Sequence, residues 1–239
     1  MRMSELSSRT GVSIPTLKYY MREGLLPAGE RTSPNQSRYN DTHVERVRLV
    51  RALLDVGGLD VARARTVVAA VDDESIPLGW VFGVAQRAVT IPASLVSDSA
   101  DSDGSDDAGM TEGERLIGEL CARRAWHVEL RNPGLALAAR VLDTYSSLGQ
   151  DRLHAALDQY AEAADLVAAA DLAAVASAPD EAEMTNVVVI GTVLGDALFA
   201  GLRRIAQEAE SARRFPSPEG TRYPVNGAEF LSPHNPKES

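Results

Sequence analysis

Apolar side chains in the first 72 residues recur at helical spacing, and glycine or proline interrupts them at short intervals. In residues 3–10, MSELSSRT, Met3 and Leu6 face inward and define a short first helix. Gly11-Val12 makes a tight turn. Ser13 is a good N-cap for a second helix, and Pro15 sits in its first turn, where a missing N–H costs little. Leu17, Tyr20 and Met21 fall at i, i+3 and i+4 as the inward stripe, and Gly24 and Pro27 stop the helix. Thr16, Lys18, Tyr19 and Arg22 are left on exposed faces, where such side chains can donate to phosphates or reach base edges. Two short helices around a glycine-containing turn are a helix-turn-helix signature.

The polar stretch AGERTSPNQSRYN at 28–40 is rich in turn formers. It reads as a two-stranded wing with Arg31 and Arg38 near its strands and Tyr39 at its exit, or as a solvated loop. Asp41 or Thr42 caps a third helix over 43–56, with Val44, Val47, Leu49, Val50, Leu53 and Leu54 inside, and Gly57-Gly58 ends it. Asp60 caps a fourth helix over 61–71, with Val61, Ala64, Val67, Val68 and Val71 inside.

After residue 72 the pattern loosens. Pro77, Gly79, Gly83 and Pro92 confine any helix in 73–95 to about 78–89, with Trp80, Val81, Val84, Ala88 and Val89 as its apolar stripe. Residues 96–110 are acidic and small, the composition of a flexible linker. A calcium loop built on Asp101, Asp103 and Gly104 fails, because Met110 stands where a bidentate Glu is needed. Thr111 and Glu114 form a capping box for a helix reaching about 130, with Leu116, Ile117, Leu120 and Cys121 on one face. Further helices are expected over 134–148, over 151–176 (Leu153, Leu157, Tyr160, Ala164, Leu166 and Val167 inward) and over 181–213. In the last of these, TNVVVIGTVLGDALFAGL is apolar on nearly every side, so it is central to a bundle or sits at a subunit interface. Homodimerisation through this helix is the preferred reading, with an intrachain core helix as the alternative. The proline-containing tail at 215–239 is expected to be extended or disordered.

Charge changes the picture most. The 239-residue chain carries a net −10, yet residues 1–71 hold eleven Lys and Arg against seven Asp and Glu, a local +4 that leaves −14 for the rest. A basic head on an acidic body is the asymmetry expected when only the head meets a polyanion. The single cysteine, Cys121, excludes an intramolecular disulfide framework and a four-cysteine zinc site. The start MRMSELSS has no apolar leader, and no run approaches the roughly 18 apolar residues of a membrane span, so the cytoplasm is expected. His43, His127, His154 and His234 are scattered, and no metal site, cofactor motif or catalytic constellation emerges. Trp126 and His127 beside an apolar helix face, with Tyr160, are the candidate effector-binding residues; packing is the plainer reading.

Taken in order, the glycine turn, the block TLKYYMREGLLP, the wing ending in SRYN and the two capped helices resemble the MerR family of transcriptional regulators over residues 1–72. The resemblance implies a mainly α fold: an N-terminal winged helix-turn-helix with its second helix in the major groove, here followed by a C-terminal helical bundle at 111–214. It implies that Thr16 and Lys18 face the groove, that Tyr19 and Arg22 engage the DNA backbone, and that Arg38 and Tyr39 make the wing contacts. Ser13 and Arg31 complete the candidate DNA-binding set. The chain departs from the family where a long dimer-forming helix usually follows, since 73–95 is interrupted, and the cysteines of the metal and redox branches are absent. The expected partners are therefore double-stranded promoter DNA, RNA polymerase, a second copy of the chain and a small apolar effector. The alternative is a DNA-bound module whose C-terminal bundle docks a protein partner without an effector.

Overall fold

The structure, a computed structural model, describes residues 1–33, 36–73, 75–89 and 109–216. Helix α1 (Met3–Thr10) ends at Gly11, whose left-handed φ of 69° lets the chain reverse. Helix α2 (Ile14–Arg22) starts at Ser13, whose Oγ accepts from the Thr16 amide at 3.3 Å. The wing is formed: β1 (Glu30–Ser33) pairs antiparallel with β2 (Gln36–Arg38), setting Glu30 opposite Arg38 and Arg31 opposite Ser37.

Helix α3 (Asp41–Arg51) is capped by Asn40 rather than by Asp41 or Thr42. The Asn40 side chain accepts from the His43 amide at 3.4 Å, and His43 Nδ1 accepts from the Asn40 amide at 3.3 Å, a reciprocal cap. The expected helix to 56 changes character after Arg51. A π segment, Ala52–Val56, follows, with the Gly57 amide donating to the Ala52 carbonyl at 2.9 Å. Asp60 caps α4 (Val61–Asp72), and α5 (Leu78–Ala88) is the short helix expected there. Its stripe is only partly inward: Val81 and Ala88 are buried, but Trp80 is 72% exposed.

Leu6, Leu17, Leu25, Leu26, Val44, Val47, Val50, Leu53 and Val67 form the buried centre of the N-terminal domain. Val81 and Ala85 of α5 join this cluster, and so do four valines from far down the chain: Val175, Val188, Val189 and Val193.

The capping box at Thr111 and Glu114 opens α6 (Glu112–Arg124). That helix stops at Arg124, short of 130, because Ala125 turns to a left-handed φ of 53° and the Trp126 amide closes on the Cys121 carbonyl at 2.9 Å. Helix α7 (Pro133–Ser147) is capped by Asn132 and packs on α6 around Ile117, Ala139 and Leu142. A tighter 3₁₀ segment, Asp151–Ala156, precedes α8 (Leu157–Ala176). Leu153, Tyr160 and Leu166, expected inward, are exposed, and α8 buries Ala161 and Val175 instead. A run this rich in alanine carries too little contrast between its faces for periodicity to pick the buried one.

Helix α9 (Glu181–Arg214) contains an 18-residue window of mean hydropathy 1.6 with no more than two charged residues. This corrects the expectation that no stretch approaches a membrane span: by length and composition one does, with 17% of the window buried within the chain. Counting uninterrupted apolar residues missed it because Thr192 and Asp196 break the run without lowering the average much. Residues 1–198 make one compact unit. The second unit, 199–239, is described as far as 216, where the end of α9 carries Arg213 and Arg214 both paired to Glu210. The linker expected at 96–110, with Asp101 and Asp103, and the tail at 215–239 lie outside the described residues except at 109–110 and 215–216.

Candidate nucleic-acid interface

The outward side of α2 is set by its inward one. Leu17 and Tyr20 are buried, so Lys18 and Arg22 point to solvent. Burial, and secondarily the Asp55 carboxylate nearby, push the Tyr20 phenol above its usual pKa, so it stays neutral and acts in packing. Tyr19 is half-buried, with its ring 6.2 Å from that of Tyr20 and the Arg22 guanidinium 5.2 Å from its centroid. Arg22 also lies 3.5 Å from Glu23, but its side chain remains 70% exposed. Both contacts hold the guanidinium at the helix end without removing it from solvent. The hydroxyls of Ser13 and Thr16 share a 2.8 Å hydrogen bond at the start of α2, and each keeps acceptor capacity for a groove contact.

On the wing, Arg31 and Arg38 are exposed. Tyr39, expected among the wing contacts, is 6% exposed and belongs to the core. Its ring meets His43 edge-on at 5.2 Å, its amide donates to the Met1 carbonyl at 2.9 Å, and a methyl group on Gly29 would strike it. The residue fixes where the wing leaves the body and presents Arg38 from the next position. An open cleft of about 900 Å³ separates α2 from the wing, lined by Lys18, Thr32, Gln36 and Arg38 among others. Arg2 also lines it, a residue that sequence reasoning passed over because nothing local distinguishes it from other arginines.

Folding sorts the cations of the head into two classes. Arg9 is paired with Asp41 at 2.6 Å, Arg51 with Asp55 at 2.8 Å, Arg63 with Asp60 at 3.6 Å, and Arg46 with Asp72 through both guanidinium nitrogens. Lys18, Arg31 and Arg38 have no ion pair among the described residues, and neither do Arg2, Arg48 and Arg65. Three uncommitted cations on the recognition helix and the wing are what a polyanion requires.

Two of the effector candidates follow the end of α6 and the third lies on α8. Trp126 donates through Nε1 to Asp165 at 2.8 Å, and Arg124 reaches the same carboxylate at 2.6 Å while lying 5.8 Å from the indole centroid. Trp126 therefore braces α6 against α8. His127 is exposed, and Tyr160 is half-exposed on α8. Among the described residues no three His, Cys, Asp or Glu side chains gather to hold a metal ion.

Residues 1–71 match the family model described as MerR HTH family regulatory protein. The nodulation protein NolA of Bradyrhizobium elkanii is 43% identical over 56 residues, which are 23% of this chain and 26% of that protein. The mercuric resistance operon regulatory protein of Bacillus cereus is 34% identical over 56 residues, 42% of its length. The alignments thus span about a quarter to two fifths of the length of these curated relatives. A likeness along nearly the whole chain is found in the crystal structure of SCO5550 from Streptomyces coelicolor A3(2), a protein assigned as a transcriptional regulator. It is 35% identical with a TM-score of 0.57, covering 91% of this chain and 99% of that one.

Proposed function

We infer the function of this chain from its kinship: it belongs to the MerR family of helix-turn-helix regulatory proteins, and it binds promoter DNA as a transcription regulator. The finer reading is a homodimer that places two α2 helices in successive major grooves and holds the flanking backbone with its wings. Lys18 and Thr16 read the groove. Arg22, Arg31 and Arg38 hold phosphates, Ser13 keeps α2 oriented, and Tyr19 positions Arg22. The regulator deforms the duplex so that RNA polymerase engages the promoter, and the deformation is sustained by backbone contacts as much as by base readout. It acts in the cytoplasm and performs no chemistry of its own.

The observation that carries the DNA-binding reading is the exposure of Lys18, Arg31 and Arg38 on α2 and the wing without an ion pair among the described residues, while Arg9, Arg46 and Arg51 of the same domain are paired. Control by a small apolar molecule bound in the C-terminal helices is supported by the route along which such a signal travels. Val188, Val189 and Val193 of α9 are buried against the N-terminal core, next to the π segment that ends α3, and Asp55 of that segment neighbours Tyr20 of α2. A ligand that favours one position of α9 therefore favours one position of α2.

Footprinting on the DNA upstream of the protein's own gene tests the reading. Two protected half-sites on one face of the helix, overlapping a promoter, are expected. No protection at low ionic strength on any promoter fragment overturns it. A ligand-induced rise in melting temperature distinguishes effector control from the alternative, a bundle that docks a protein partner.

A further inference from the structure

We propose that the end of α9, residues 199–214, forms a parallel, in-register seam with the same segment of a second copy of this chain. This deepens the homodimer reading above, on which it rests, by naming the surface, its orientation and the charge pair that sets its register. Along this segment Leu202, Ile205, Ala209 and Ala212 follow one another at spacings of three, four and three residues, the a and d positions of a heptad. Leu198, four residues before Leu202, continues the spacing. The positions on the opposite side, Arg203, Arg204, Gln207, Glu210, Ser211 and Arg214, are all polar. A helix enclosed on every side has no need of such a polar face, and a helix alone in water has no need of the stripe. Yet Leu198 is 64% exposed, Leu202 54% and Ile205 67%, and every residue from Leu202 to Ala209 is exposed. One neighbouring helix laid along the stripe covers it.

The flanking charges select the neighbour. In a parallel pair, the g residue of one helix meets the e residue of the next heptad in the other. Here g is Glu208 and e is Arg213, so two copies in register form the same acid–base pair on both sides of the seam. The remaining flanking positions, Phe199, Gly201 and Ala206, carry no charge to oppose it. With the helices reversed, g faces g and e faces e, and Glu208 no longer meets Arg213. Within the chain Arg213 is paired with Glu210, which also holds Arg214. Both guanidinium groups are largely exposed, and exposed pairs contribute little, so Arg213 can turn to the partner while Glu210 stays neutralised by Arg214. A parallel, self-complementary contact is isologous, the two-fold arrangement that an inverted repeat of DNA matches. Helix α5 offers no equal seam: it has 11 residues, and its Val81, Ala85 and Ala88 are buried within its own chain.

The test is sedimentation of the full-length protein and its variants across a concentration series, with thermal melting of each in dilute solution. Ile205→Asp alters a side chain that is exposed within the chain, so melting should hold while dimerisation weakens on the order of a hundredfold, because two carboxylates would be buried in the seam. Glu208→Arg and Arg213→Glu should each weaken dimerisation about tenfold, since each sets like charges opposite one another on both sides. An equal mixture of those two variants should recover it, because each copy then supplies the charge the other lacks. Ala212→Cys in a Cys121→Ser background should give a disulfide-linked dimer when an oxidant is added, since the parallel register sets residue 212 against its twin. If Ile205→Asp dimerises as the unmodified protein does, or the mixture associates no better than its components, the seam is wrong and the homodimer is made elsewhere. A cross-link that fails to form while Ile205→Asp dissociates the dimer overturns the parallel register. An unmodified protein that stays monomeric at every concentration overturns the homodimer reading itself and gives the stripe to another occupant, leaving DNA binding by the head untouched.

Discussion

Replacing Gly57 by alanine puts one methyl group where the C-terminal half of the compact unit leans on the DNA-binding head. The backbone of Gly57 is unstrained for alanine at φ −70°. The penalty therefore comes from contact alone. The new Cβ would lie closer than 3.0 Å to Val193 Cγ1 and 2.8 Å from the Leu53 carbonyl oxygen. Carbon contacts are comfortable from about 3.5 Å, so α9 must retreat by roughly an ångström or α3 must bend. Overpacking of this kind costs about 1–3 kcal/mol, which in a chain of this size lowers the melting temperature by some 3–10 °C. Val193→Ala loses the burial of two methyl groups, about 1.6 kcal/mol, plus a cavity contribution. In the double variant the Gly57 methyl occupies the vacated volume, so the two losses should fall short of adding by about 1 kcal/mol, with a residue from the Leu53 carbonyl that Val193 cannot relieve. Urea denaturation of the four proteins measures this coupling, and fluorescence anisotropy on labelled promoter DNA measures its consequence: Gly57→Ala should alter affinity, and Val193→Ala should restore it. Strict additivity in stability together with unchanged affinity would refute the contact and the route from α9 to α2.

Arg22→Ala should weaken binding to every sequence and flatten the salt dependence by about one unit of slope, since the guanidinium is solvent-facing beside Tyr19 and Glu23; an unchanged slope in a salt titration argues against a phosphate role. His43 is 8% exposed, its Nε2 has no hydrogen-bond partner among the described residues, and burial lowers its pKa, an effect the Ala28 backbone partly opposes. The native state therefore resists protonation while the unfolded chain titrates near 6.5, so stability is constant above that pH and falls as pH drops below it; chemical denaturation at pH 7.5 and 5.5 should show the loss, and His43→Leu should abolish it. A fragment ending at residue 89 loses the cover that Val175, Val188, Val189 and Val193 give the core, and should melt well below the intact chain by differential scanning calorimetry.

Much of the head was legible because its signals are local. Ser13 and Asp60 in the head, like the Thr111–Glu114 box beyond it, each cap a helix through an amide three residues away, and Gly11 and Gly24 stop helices by taking left-handed φ values of 69° and 75°. What escaped is non-local. Tyr39 looks like a wing residue until Met1 pairs with it from 38 positions away. Which arginines are available for DNA depends on partners 32 residues apart for Arg9 and 26 apart for Arg46. In the C-terminal helices the sequence carried less, because stretches apolar on every side define no face. Leu166 and Val193 are equally hydrophobic as letters, yet one faces solvent and the other is buried on the core. The Asn40 cap was missed for a subtler reason: Asn40, Asp41 and Thr42 are all capable caps, and only the His43 ring closing back on the Asn40 amide decides among them.

The five residues Ala52–Val56 give α3 a property that the other helices of the head lack. A π turn holds one residue more than an α turn spanning the same rise, so the chain there can be threaded in two ways that differ by a single step. Taking up that step swings everything downstream by about 100° around the helix axis and moves it by about 1.5 Å. Amide exchange at Gly57 and Leu59, whose hydrogens close the widened turn onto Ala52 and Leu53, reports whether the step is ever taken. Protection at those two sites that rises when DNA is bound would show the duplex choosing one threading over the other.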